Sequence, residues 1–148
     1  MLLLDEPVAS LDPLARREFL QDLMESVAEQ DLSVVLSSHL VADLERVCDY
    51  LIVLVGSRVR VAGPVEELLA THHLLTGPRR DPASLPDGQQ VISASHTDRQ
   101  TTLLVRTSSP VLDPAWTVSE VGLEDLVLAY MSQAAGRSRR NHHLEVQK

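Results

Sequence analysis

The stretch Met1-Leu2-Leu3-Leu4-Asp5-Glu6-Pro7-Val8-Ala9-Ser10-Leu11-Asp12-Pro13 decides how the rest of the chain is read. An apolar run ends in two adjacent carboxylates, and Pro7 stops it. Leu2 to Leu4 are apolar at every position, so they read as a strand of a parallel sheet buried on both faces. Ligands of open parallel sheets sit beyond the carboxyl ends of the strands, where Asp5 and Glu6 stand. Two carboxylates there can divide labour, one holding a divalent cation and the other orienting or deprotonating water. Asp12 before Pro13 also has the form of a helix N-cap followed by proline at the first helical position.

Pro13 to about Gln30 reads as a helix with Leu20, Leu23, Met24 and Val27 on one stripe. Leu32 to Ser37 reads as a second buried strand, and Ser38-His39 follows at its carboxyl end. Two apolar runs joined by one long helix predict a parallel crossover unit. Leu40 to Val47 reads as a short helix. Tyr50 to Val55 and Arg58 to Ala62 read as a hairpin about a Gly56-Ser57 turn, stopped by Gly63-Pro64. Val65 to about Thr71 reads as a helix opened by Pro64.

This run resembles the ATP-binding cassette (ABC) ATPases. LLLDEPVASLD is similar to their Walker B strand and D-loop. VVLSSH is similar to the strand ending in their switch histidine, and CDYLIVLVGSRVRVAGPVEELL to the tail that follows it. VGLEDLVLAYM, at 121–131, resembles the C-terminal extension of exporter-type members. The fold implied is α/β, the C-terminal half of a P-loop NTPase parallel sheet with flanking helices, plus a small α+β extension. The roles implied are Mg²⁺ held by Asp5, water polarised by Glu6 as general base, and γ-phosphate bound by His39. Ser10, Leu11 and Asp12 would form the D-loop against a second ABC subunit. The cofactors implied are ATP and Mg²⁺. The partners are that second subunit and a separate membrane permease, with the protein at the cytoplasmic face of the membrane.

The lone lysine of the 148 residues is Lys148, and the six glycines are never adjacent. A P-loop needs Gly-Lys-Ser/Thr, and the ABC signature needs a glycine pair, so the sequence contains neither. Both motifs precede Walker B in the family. The chain therefore reads as the C-terminal part of a longer protein, inactive by itself. Two other readings are a non-enzymatic remnant or regulatory module, and a non-transport ABC-type ATPase.

The remaining composition narrows the class further. A net charge of −8 argues against a phosphate-backbone footprint. The aromatics are Phe19, Tyr50, Trp116 and Tyr130 alone, too few for base stacking, so no nucleic-acid partner is expected. Cys48 is the only cysteine, which fits a reducing compartment. The domain plan predicted is an ATPase part over 1–75, a connection over 76–89, a small α+β unit over 90–135 and a disordered tail over 136–148. Within the α+β unit, 90–95 and 101–107 read as a hairpin with His96 in its loop, 116–121 as a third strand, and 123 to about 135 as a helix. His96 and the adjacent His142-His143 carry no metal reading.

Overall fold

The computed structural model describes residues 1–79 and 88–145, with side chains for 1–79 and 88–135. The architecture is mixed α/β. It comprises two compact units, Met1–Cys48 and Asp49–Lys148.

The first unit contains β1 (Leu2–Asp5), α1 (Pro13–Gln30), β2 (Val34–Ser37) and the one-turn helix α2 (Val41–Leu44). Strands β1 and β2 pair in parallel, Leu2 opposite Val34 through Asp5 opposite Ser37, as the crossover pattern predicts. Asp12 caps α1: its backbone is extended and its carboxylate accepts from the Leu14 and Ala15 N–H groups at 2.9 and 3.0 Å. Asp31 closes the helix in the left-handed conformation, its N–H reaching the Val27 carbonyl. Arg16 on α1 pairs with Asp43 on α2 at 3.3 Å. The expectation of burial on both faces is not met. Leu3 is 72% and Val35 50% exposed, because the sheet has two strands and no layer covers these side chains. The helix predicted over 40–47 is also shorter, since 45–47 continue as turns.

The second unit opens with the hairpin β3 (Tyr50–Val55) and β4 (Arg58–Pro64). Gly56 and Ser57 both have positive φ, 58° and 57°, the mirror-image turn whose twist suits a two-residue hairpin. Strand β4 continues through Gly63 and Pro64, which pair with Leu51 and Tyr50. The predicted stop at Gly63 is therefore corrected: Pro64 closes the strand and precedes α3 (Val65–Thr71). Leu51, Val53 and Val61 are buried, whereas Tyr50, Ile52, Leu54 and Val59 are exposed.

Strands β5 (His72–Pro78), β6 (Gln90–His96), β7 (Gln100–Arg106) and β8 (Thr117–Glu120) form an antiparallel sheet of order β6-β7-β5-β8. The β6–β7 hairpin and the strand near 117–120 agree with the sequence pattern. Strand β5 was not expected. The predicted boundary at 75 falls inside it, and the predicted connection over 76–89 begins on its last three residues. Residues 80–87 of that connection lie outside the described residues. His96 ends β6 instead of standing in the loop, with Nδ1 3.0 Å from the Thr101 hydroxyl. Leu75, Leu103, Val105 and Trp116 form a buried cluster on the sheet. Helix α4 (Leu123–Glu145) packs against β6, β3 and β4. Its helical backbone reaches 145, so most of the predicted tail is helix. The side chains of His142 and His143, and all of 146–148, lie outside the description.

His72 and Tyr130 join α4 to this sheet, and their partners set the protonation of both. The His72 Nδ1 lies 2.6 Å from the Leu68 carbonyl, which can only accept, so Nδ1 carries the proton. Nε2 then accepts from the Tyr130 hydroxyl at 2.9 Å. The rings meet edge to face, 5.7 Å between centroids. Burial holds His72 below the usual histidine range, opposed by its bond to Leu68 and reinforced by Arg106 and His73. Burial also raises the Tyr130 hydroxyl, keeping it a donor. A histidine with a depressed folded pKa contributes stability above its unfolded pKa, about 6.5, and loses it as pH falls through the folded value. The urea midpoint should therefore fall from about pH 8 to about pH 5. His72→Leu should flatten that slope; an unchanged slope would exclude His72 as its source.

Candidate functional site at the carboxyl end of the parallel pair

Parallel pairing places the ends of β1 and β2 side by side, and with them Asp5, Glu6, Ser37 and His39. Asp5 is opposite Ser37 in register, and the Ser37 hydroxyl donates to the Asp5 carboxylate at 2.5 Å. The Glu6 N–H donates to the same Ser37 oxygen at 2.9 Å. Glu6 has φ of 47°, a left-handed conformation uncommon outside glycine, asparagine and aspartate. The chain thereby turns sharply after β1. The Glu6 carboxylate lies across the strand end, 2.7 Å from His39 Nδ1, with the two side chains 37% and 62% exposed. An ionised carboxylate only accepts, so Nδ1 is the donor in this contact.

Three of the predicted residues, Asp5, Glu6 and His39, thus meet at one end of one sheet. Ser10, Leu11 and Asp12 occupy the turn into α1. The Leu11 N–H reaches the Val8 carbonyl and the Leu11 carbonyl faces Arg16, while Asp12 is engaged as the cap. Ser37 was read from sequence only as the last residue of a strand. Its signal was nevertheless present: a hydroxyl ending an apolar run, at the position a parallel register sets opposite Asp5.

The groups here that could meet a cation are the carboxylate oxygens of Asp5 and Glu6, hard donors of the kind Mg²⁺ takes. Among the described residues no group of three or more His, Cys, Asp or Glu is arranged to hold a metal. Such a site suits Mg²⁺ bound by one or two carboxylates with water and phosphate oxygens, the usual mode for this ion. The sequence has no Gly-Lys-Ser/Thr, so the residues present fit the metal and water side of a nucleotide site but not its phosphate cradle. No helix among the described residues is long and apolar enough to cross a membrane.

Curated proteins similar to the chain include ATP-binding proteins of ABC transporters. Among them is the molybdenum import ATP-binding protein ModC of Rhodobacter capsulatus, 36% identical over 88 residues, 60% of this chain and 24% of ModC. The ABC transporter ATP-binding protein YtrB of Bacillus subtilis is 41% identical over 49 residues, 33% of this chain and 17% of YtrB. ATP-binding cassette sub-family A member 2 of Rattus norvegicus is 40% identical over 67 residues, 45% of this chain and 3% of that protein. The chain thus spans about a quarter or less of these relatives' length. No protein-family model matches it.

Proposed function

We propose that this chain is the Walker B, D-loop and switch-histidine part of an ATP-hydrolysing subunit of an ABC transporter. The observation that carries the reading is the Glu6–His39 contact beside Asp5 at the carboxyl end of parallel strands. Asp5 would hold Mg²⁺. Glu6 orients the attacking water and takes its proton. His39 meets a γ-phosphate oxygen. Bound Mg²⁺ supplies positive charge to the phosphates. Ser10, Leu11 and Asp12 face a second ATPase subunit across the nucleotide. The extension formed by β5 to β8 and α4 is an accessory unit. A separate permease chain or domain crosses the membrane, and this subunit sits on its cytoplasmic side.

The export direction rests on VGLEDLVLAYM alone. The ModC relatives are import proteins by name, so the matches support the ATP-binding role and do not support export. A second reading is a non-enzymatic remnant or regulatory module.

A chimera separates the two. Residues 1–48 replace their counterpart in the Rhodobacter capsulatus ModC relative, and Mg-ATP hydrolysis is measured. Retained turnover that Glu6→Gln abolishes supports the enzymatic reading. A folded, ATP-binding chimera without turnover favours the remnant. The chain by itself should release no phosphate from Mg-ATP and bind it weakly, because carboxylates repel the anion and no P-loop lysine or glycine-rich loop offsets them. Calorimetry and a phosphate-release assay check this; tight binding would mean that other groups hold the phosphates.

A further inference from the structure

We propose that Ser37 is a positioning residue that fixes the two carboxylates relative to one another; the inference rests on the reading of Asp5 as the metal-holding group and Glu6 as the water-facing group. One oxygen performs both tasks. Its proton goes to Asp5, at 2.5 Å, and its lone pair receives the Glu6 N–H, at 2.9 Å. The first bond engages one oxygen of the Asp5 carboxylate and leaves the other free of Ser37. The second bond compensates a backbone that Glu6 adopts at φ of 47°. A sparsely populated conformation of this kind persists only where surrounding contacts over-determine it. Without that bend the Glu6 side chain would not lie across the end of β2, where it meets His39 at 2.7 Å.

Ser37 is suited to this because the parallel register puts it directly opposite Asp5. A hydroxyl is the smallest group that can donate and accept at once. Alanine at this position would keep the strand and lose both bonds. Threonine would keep the hydroxyl and suits a strand. Ser37 is exposed, so neither substitution opens a cavity.

The test uses the whole chain and Mn²⁺ as an oxygen-seeking stand-in for Mg²⁺. Mn²⁺ broadening of the Asp5 and Glu6 amide resonances is followed by NMR, together with exchange of the Glu6 amide with water. Ser37→Ala should weaken the Mn²⁺ midpoint and speed Glu6 exchange, each by about three- to tenfold. Ser37→Thr should restore both, which a general loss of packing would not permit. An unchanged midpoint, or an unchanged Glu6 exchange rate, in Ser37→Ala overturns the proposal. If Mn²⁺ leaves both resonances sharp in the parent chain, the metal-holding reading of Asp5 fails. The Glu6 exchange rate then decides alone whether Ser37 positions that residue.

Discussion

Glu6→Gln in the ATPase chimera should bind Mg-ATP as the parent does and turn it over about 10²–10⁴ times more slowly. Glutamine keeps the length of the side chain, and its amide oxygen can still accept from His39 Nδ1, 2.7 Å from the present carboxylate. The bend after β1 is unaffected, because the Ser37 contact is made by the Glu6 backbone N–H. What disappears is the capacity to take a proton from water. Binding and geometry are thereby held while one chemical step is removed. The measurement is single-turnover hydrolysis beside calorimetric ATP affinity. Turnover at the parent rate would exclude Glu6 as the base. Loss of ATP affinity in the same variant would mean that Glu6 acts in binding instead.

Trp116→Ala should destabilise the 49–148 unit by about 3–5 kcal/mol, the usual cost of removing a large buried aromatic. The indole is buried with Leu75, Leu103 and Val105, which come from two neighbouring strands. It also lies directly on Gly77: a methyl group there would stand 2.8 Å from the Trp116 ring and 2.7 Å from the Ala115 carbonyl. Glycine is required at 77 by this approach, not by its own φ. Gly77→Ala should therefore cost about 1–3 kcal/mol by overpacking. Its cost should be smaller in a Trp116→Ala background, where only the carbonyl clash remains. A domain's net stability is about 5–15 kcal/mol, so the tryptophan variant should unfold at much lower urea. Far-UV circular dichroism is the suitable probe, since Trp116 is the only tryptophan and its fluorescence is lost with it. A midpoint unchanged from the parent would show that the cluster does not hold the sheet.

Elements bounded by local chemistry were legible in the sequence. Helix α1 starts and stops where Asp12, Pro13 and Asp31 place it, and the β3–β4 turn lies at Gly56-Ser57, the pair with positive φ. Strand β5 was not legible, because Thr76-Gly77-Pro78 has the composition of a loop. These residues are extended because they pair with Thr102, Thr101 and Gln100 of β7, a contact no local pattern announces. The end of α4 lies beyond the predicted one for the opposite reason. Gly136 costs a helix only about 1 kcal/mol, and the polar residues after it include no proline.

The order of groups at the candidate site is a property of the sequence: an apolar run, two carboxylates, a helix, a second apolar run, a histidine. Those residue types define which atoms can ligate a cation, accept a proton or face a phosphate. Tertiary structure decided which of them meet. Glu6 and His39 stand 33 positions apart and touch because β1 and β2 pair in parallel and in one register. A shift of one residue would turn the Asp5 partner to the other face of the sheet. Ser37 shows in the sequence only as a hydroxyl ending an apolar run. Its place opposite Asp5, and its contact with the Glu6 backbone, exist only once the strands are paired.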